Sequence, residues 1–186
     1  MRHHNWFAFM LVALVVSLIL SIAPARSSLA KEKIDIGGIV DLTGPTNEIG
    51  VPYAEGFADY IDKINRSGGI NGRKIDYTAI DFAYKLPKAM AAYKRLKSQQ
   101  KVIGILGWGT GDSKARIPLL NRDKIVQFTT FSLDQTDPHT PYNFSHLISY
   151  THQVIGMLQY AKEHPKEEGR KVRVALVFSD AEYGRA

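Results

Sequence analysis

Residues 33–50 read KIDIGGIVDLTGPTNEIG, an apolar strand that runs into a turn-rich loop and then into a helix. Isoleucine and valine recur through residues 33–42, which predicts a short strand, and the Thr, Gly, Pro and Asn residues of 43–50 are typical of a connection. In the helix that follows, large apolar side chains recur every three or four residues and predict one buried face. These side chains are Tyr53, Phe57, Tyr60, Ile61 and Ile64.

The same alternation continues along the chain. Three glycines in residues 67–72 stop the first helix with a cap and a tight hairpin. Strands are predicted at 74–81, 102–106, 125–129 and 172–178, an extended segment at 144–148, and helices from Pro87 onward, at 114–121, at 151–164 and from 183 onward. The predicted inward positions are Ala89, Ala92, Tyr93 and Leu96 in the second helix, and Val154, Met157, Leu158 and Ala161 in the helix at 151–164. The pattern predicts an α/β fold class with a doubly wound parallel sheet.

The N-terminus is typical of an export signal. A cationic head precedes the apolar run at 7–20, and Ser28 and Ala30 are small residues where a signal peptidase cleaves. The alternative is an uncleaved anchor over residues 6–23, which is almost long enough to cross a bilayer of about 30 Å. Ser17 and Pro24 weaken that alternative, so we expect cleavage of 1–30 and a periplasmic protein.

Composition narrows the function classes. The chain has no cysteine, which excludes a lipid-anchored export route through an N-terminal cysteine. Loss of 1–30 removes two of 24 basic residues and none of the 18 acidic ones, leaving a net charge of +4. Because the basic residues are spread along the chain without interleaved aromatics, nucleic-acid binding is disfavoured.

Residues 104–113, GILGWGTGDS, invite a phosphate-binding interpretation that the details exclude. Asp112 occupies the sixth place of a dinucleotide fingerprint and stands where a phosphate-binding loop needs lysine, and a carboxylate there repels a phosphate. Two interpretations stay open on the local pattern. The glycines either only turn a strand into a helix capped by Asp112 or Ser113, or they also let backbone N–H groups approach a small ligand beside the Thr110 hydroxyl.

In a parallel α/β sheet, ligands bind at the carboxyl ends of the strands. This rule selects the loops at 43–50, 82–86, 107–113, 129–134 and 179–183. The first is either a plain connection or part of a site, and the hydroxyl residues of 129–132 suit a zwitterionic ligand while also being common in turns.

Catalytic constellations are disfavoured. Asp41 and Asp81 each end a strand, where loop capping is commoner than acid–base chemistry. His146 and His152 are six residues apart and lack metal-ligand spacing, and His164 is placed at a helix end. We therefore expect no enzyme activity, no cofactor and no metal.

Four segments in order resemble the leucine/isoleucine/valine-binding proteins of bacterial ABC importers, a family of type I periplasmic solute-binding proteins. They are residues 33–45, residues 64–75 with the hairpin GGINGRK, the strand ending at Asp81 with Pro87 after it, and residues 179–185. The resemblance implies a two-lobed exported protein that closes on a small amino-acid-like solute, such as a branched-chain amino acid, and delivers it to an ABC permease. It further implies a monomer.

The resemblance also implies the residues that contact the solute. These are Ile49, Trp108, Gly109, Thr110, Thr130, Phe131, Ser132 and Tyr183. Relatives that bind aliphatic amino acids often have a run of small hydroxyl residues where this chain has Trp108 to Gly111, so the Trp108 indole and Phe131 are expected to reshape the pocket.

By the same resemblance, residues 31–150 form a nearly complete first lobe and 151–186 only begin the second. Two other functions remain as alternatives. A ligand-sensing domain of the same fold in a receptor or regulator would be favoured by an uncleaved anchor or a following signalling domain. An exported α/β enzyme is disfavoured because no nucleophile, metal set or phosphate loop was found.

We expect the chain of residues 31–186 to bind solute weakly or not at all, because second-lobe contacts and closure contribute to affinity. A thermal-shift titration would compare it with a chain extended by about two hundred residues, the size of a further domain. Equal affinity in the two chains would contradict this expectation.

Overall fold

The computed structural model describes residues 32–129, 140–165, 169, 171, 173–180 and 182–185. Its strands are β1 (Ile34–Val40), β2 (Ile75–Asp81), β3 (Gly104–Leu106), β4 (Val126–Thr129) and β5 (Asn143–Ser145). Its helices are α1 (Asn47–Arg66), α2 (Leu86–Gln99), α3 (Thr110–Asp123), α4 (Tyr150–Glu163) and α5 (Glu182–Arg185). Within these residues no helix is long and apolar enough to span a membrane. The predicted export signal lies outside the described residues.

The five strands form one parallel sheet in the order β2-β1-β3-β4-β5. Ile34 pairs with Ile75 at the start of the β1–β2 ladder, and Gly104 of β3 pairs with Ile36 of β1 and Val126 of β4. The chain moves outward from β1 in one direction to β2 and in the other to β3. The carboxyl ends of β1 and β3 therefore flank the point where the strand order reverses, which is where ligands bind in open α/β sheets.

The core confirms the predicted face of α2. Ala89, Ala92, Tyr93 and Leu96 are all buried there. They pack with Ile39 and Ile105 of the sheet, and with other buried residues that include Phe82, Val102, Leu120 and Ile125. The predicted face of α1 is confirmed only in part: Ile61 is buried, but Tyr60 is 61% exposed. Because α1 packs mainly against β1 and β2, the flank that carries Tyr60 is left uncovered.

The hairpin between α1 and β2 has the glycine geometry that the sequence predicts. Gly69 has φ +78°, and a Cβ there would collide with the backbone of Arg73. The N–H of Ile70 donates to the carbonyl of Arg73 at 2.8 Å and closes the turn. Only glycine satisfies both the positive φ and the close approach.

Two predictions in the last third of the chain are wrong. Residues 173–179 form no strand, and their apolar side chains are exposed, Val177 by 97%. None of the α4 positions predicted inward is buried, and Met157 is 64% exposed. Both errors have the same physical reason. In the described part of the chain no strand pairs with residues 173–179 and no layer covers α4, so the apolar side chains of these segments have no surface to pack against.

The boundaries of α3 and β5 also differ from prediction. The helix predicted at 114–121 spans Thr110–Asp123, and Gly109 rather than Asp112 or Ser113 is its N-cap. It begins early because the Asp112 carboxylate accepts the backbone N–H of Gly109 from inside the first turn. The extended segment predicted at 144–148 is the strand Asn143–Ser145, which ends where pairing with β4 ends.

Replacing Leu96 with alanine should lower the free energy of unfolding by about 2–5 kcal/mol, because its fully buried side chain leaves a cavity between α2 and β1. Urea denaturation followed by circular dichroism measures the effect. Leu86→Ala in the same helix is the control, since Leu86 is 48% exposed and its loss should cost far less. An equal loss of unfolding free energy in the two variants would show that Leu96 is not part of the core.

Candidate solute-binding site

Two aspartates organise the loops at the carboxyl ends of β1 and β2. The fully buried carboxylate of Asp41 accepts the N–H of Gly44 at 2.6 Å, and the N–H and hydroxyl of Thr46 at 2.9 and 2.6 Å. The Asp81 carboxylate accepts the N–H groups of Leu42 and Ala83, both at 2.9 Å, and the hydroxyl of Thr43. These contacts agree with the prediction that both aspartates cap loops.

The pKa of Asp81 reflects these bonds. Burial acts to raise it, but the hydrogen bonds from Thr43, Leu42 and Ala83 outweigh burial and hold the pKa below its usual range. A carboxylate stabilised in its charged form is a poor proton acceptor near neutral pH.

Trp108 joins the loop after β3 to the loop after β1. Its indole N–H donates to the hydroxyl oxygen of Thr46 at 2.8 Å, and that hydroxyl donates in turn to Asp41. The indole ring also packs on the ring of Tyr53 in α1, with centroids 5.1 Å apart and planes tilted by 49°. Because its N–H is engaged within the protein, Trp108 presents ring surface rather than a hydrogen-bond donor.

The start of α3 already holds a carboxylate of the protein. A helix N-terminus attracts anions, and here the Asp112 carboxylate accepts the N–H of Gly109 and pairs with Arg116 at 2.6 Å. Burial raises the pKa of Asp112, and the Arg116 guanidinium opposes that rise. A Cβ on residue 109 would collide with this carboxylate, so glycine is required for close approach. This geometry supports the exclusion of a phosphate site.

A second aromatic group lies beneath Trp108. The Tyr53 ring stacks on His146, with centroids 6.2 Å apart, and packs against Phe57, which in turn contacts Tyr77. Burial raises the pKa values of Tyr53 and Tyr77 to about 12, and neither phenol hydroxyl has a hydrogen-bond partner among the described residues. Burial lowers the pKa of His146 despite a hydrogen bond with the Thr129 backbone, so this histidine is neutral at neutral pH.

The residues predicted to contact a solute lie in several different places in the structure. Ile49 is in the first turn of α1 and is 66% exposed, and Trp108 is partly exposed. Gly109 and Thr110 adjoin Trp108 at the start of α3, where the side chain of Thr110 is only 2% exposed. Tyr183 is on α5. Thr130, Phe131 and Ser132 lie outside the described residues, so contact of all these residues with a solute stays a prediction.

Sequence reasoning missed the polar residues that support the glycine loop. Arg116 and Gln127 are fully buried, and Tyr84 packs beside Gly109. The four-residue spacing of Asp112 and Arg116 on a helix was a usable signal for the ion pair. Gln127 had no such signal, because alternation in a short central strand does not distinguish a buried amide from an exposed one. Among the residues that the structure describes, no cluster of acids and histidines could hold a metal.

Comparison of the sequence with known proteins identifies a family that matches most of the chain. The sequence profile of the family described as "Periplasmic binding protein" matches residues 33–186. The Leu/Ile/Val-binding protein homolog 7 of Brucella suis is 26% identical over 94% of this chain and 44% of its own length. The chain therefore spans under half of that curated relative.

Two solved structures share the fold. A branched-chain amino acid ABC transporter protein from Thermus thermophilus, crystallised with valine, has a TM-score of 0.68 at 24% identity, over 73% of this chain and 36% of that one. A fatty acid ABC transporter substrate-binding protein from Thermomonospora curvata has a TM-score of 0.65 at 22% identity, over 71% and 33%. At these identities the likeness shows a shared type I periplasmic binding protein fold.

Replacing Thr46 with valine should free the Trp108 indole and destabilise the chain by about 1–3 kcal/mol, because a partly buried hydroxyl that both accepts and donates is lost. Trp6 and Trp108 are the only tryptophans, so without 1–30 a single indole N–H signal reports the bond in a ¹H–¹⁵N spectrum. Thr46→Ser keeps the hydroxyl and should leave that signal near its original position. An unmoved signal in Thr46→Val would show that the bond is not formed in solution.

Proposed function

Because the chain belongs to the periplasmic binding protein family, we propose that it is the extracytoplasmic substrate-binding component of an ABC importer. It binds a small amino-acid-like solute, a branched-chain amino acid or a related compound, in a cleft between two lobes and delivers it to the permease subunits. It is exported by a signal at 1–30 that is cleaved, acts as a periplasmic monomer, and binds without cofactor or metal. Residues 31–150 supply the first lobe and 151–186 begin the second.

The observation that carries the proposal is the engagement of three carboxylates, one after each of β1, β2 and β3. Asp41 and Asp81 accept donors from the loops that they cap, and Asp112 is paired with Arg116. General acid–base chemistry needs a group free to exchange a proton with a substrate. Three carboxylates that are engaged in holding loops support binding in preference to catalysis.

The chemistry of Trp108 favours a solute with an apolar side chain. With its N–H donated to Thr46, the indole offers a flat apolar surface beside the backbone of Gly109. Aromatic rings bury large apolar areas in binding sites, and backbone groups orient the polar end of a ligand. The two fold neighbours above are named for a branched-chain amino acid and for a fatty acid, and both compounds carry aliphatic chains. We therefore favour amino acids with aliphatic or aromatic side chains.

Fluorescence of Trp108 in the full-length gene product without its signal tests the proposal. Where the remainder of the protein has other tryptophans, these are replaced by phenylalanine. L-leucine, L-valine and L-phenylalanine are titrated, with glycine as the probe that lacks a side chain. We expect saturable emission changes with one or more of the first three and none with glycine. Trp108→Ala should raise the dissociation constant measured by calorimetry about tenfold, because a large ring surface is lost.

Trp108→Phe is the matched control. It removes the fluorescence signal and the bond to Thr46 but keeps a ring, so calorimetry should still detect binding. Deletion of the gene should reduce uptake of the bound amino acid by the cell. Unchanged uptake with a lost solute-dependent response would instead support a ligand-sensing domain, and no binding by any probe would refute an amino-acid site.

A further inference from the structure

Arg116 is a fully buried cation whose guanidinium reaches three partners. From α3 its Nε donates to Oε1 of Gln127 at 2.6 Å, its Nη1 to Asp112 at 2.6 Å, and its Nη2 to Oγ of Ser113 at 3.1 Å. Arg116 thus connects the first turn of its own helix to strand β4, which lies inside the sheet beside β5.

The bonds extend from this centre to the edge of the sheet. Gln127 donates through Nε2 to Oδ1 of Asn143 at 2.7 Å, and these two residues are register partners of β4 and β5. Thr129, the last residue of β4, donates its hydroxyl to Ser113 at 2.6 Å. All of these side chains are buried. One guanidinium therefore fixes α3, β4 and β5 relative to one another.

The glycine loop is held against the same group. Asp112 accepts the N–H of Gly109, so the position of Arg116 is transmitted to that backbone. On the other side of Trp108, a Cβ at Gly107 would lie 2.9 Å from Oγ of Ser113 and 3.0 Å from Nη2 of Arg116. Gly107 consequently packs directly on the guanidinium and on the hydroxyl that it binds.

A purely stabilising role is a weak explanation of this arrangement. Removing two charges from water costs as much as a buried ion pair returns, and an apolar replacement is often equally stable. A buried network with satisfied partners instead fixes one geometry. Here the fixed geometry is the spacing between residues 107–109 and the end of β4.

We propose that Arg116 is a positioning residue of the solute site. It sets the distance between the glycine loop and the end of β4 at Thr129. Its effect on solute affinity rests on the proposed function, whereas its effect on the loop does not.

Arg116→Lys is the first test, carried out on the full-length gene product without its signal. Lysine keeps the positive charge beside Asp112 but cannot reproduce the planar fork to three partners. We expect the Trp108 indole signal and the amide signals of Gly107 and Gly109 to shift. We also expect the dissociation constant for whichever of L-leucine, L-valine or L-phenylalanine binds to rise about tenfold.

The double variant Asp112→Asn with Arg116→Met is the second test. Arg116→Met alone leaves a buried carboxylate without its cation and can fail to fold, whereas the double variant removes both charges. The melting temperature should recover toward that of the wild type, but solute affinity should stay weakened because the link to Gln127 is still missing. Recovery of both quantities would overturn the proposal.

Leu96→Ala is the stability control, because Leu96 is a fully buried apolar side chain of α2 that packs in the hydrophobic core. It should lower the melting temperature and leave affinity within about twofold. If Arg116→Lys weakens solute affinity no more than Leu96→Ala does, Arg116 contributes only to stability and the positioning proposal is wrong.

The loop signals separate this proposal from the proposed function. If the wild type binds none of the three amino acids, the amino-acid site fails, yet shifted Gly107, Gly109 and Trp108 signals in Arg116→Lys still support positioning. Unshifted signals overturn positioning, whatever the wild type binds.

Discussion

Burial of charge at the carboxyl edge of the sheet is the constraint on which the loops depend. Asp41 is fully buried and Asp112 nearly so, and an ionised carboxylate in that setting must be matched by donors or a cation. Asp41 accepts hydrogen bonds from the N–H groups of the loop after β1, and Asp112 accepts the N–H of Gly109 and pairs with Arg116. The conformations of both loops follow from satisfying these two groups.

Once the carboxylates are satisfied, a neutral hydrogen bond joins the two loops. The Thr46 hydroxyl can accept the Trp108 N–H because it donates its own proton to Asp41. The order β2-β1-β3 brings these loops together, since strands distant along the chain become neighbours there. Sheet topology therefore brings Trp108 close to Thr46, and the Asp41 carboxylate orients the Thr46 hydroxyl so that it accepts the indole N–H.

The sequence predicted features that depend on local pattern or on close neighbours. The buried face of α2 was read correctly because Ala89, Ala92, Tyr93 and Leu96 face a sheet that the described chain contains. The run at 173–178 was read wrongly because its apolar residues predict burial without saying what covers them. In the site, the capping roles of Asp41 and Asp81 followed from strand ends. The contacts of Gln127 with Arg116 and Asn143 did not, because they join residues whose proximity arises only from strand order.

The electrostatic state of this edge bears on what kind of solute it suits. The N-terminus of α3 would ordinarily favour an anionic group, but Asp112 takes that place and Arg116 neutralises it. The edge then contributes no net charge from Asp112 and Arg116, and its exposed part includes the ring of Trp108 and the side chain of Ile49. Under the proposed function, this edge would attract a zwitterion only weakly through the Asp112–Arg116 pair, so apolar contact and backbone hydrogen bonds would supply most of its share of the binding energy. Apolar contact depends on shape, which makes the fixed spacing between the glycine loop and β4 more consequential than any single charge.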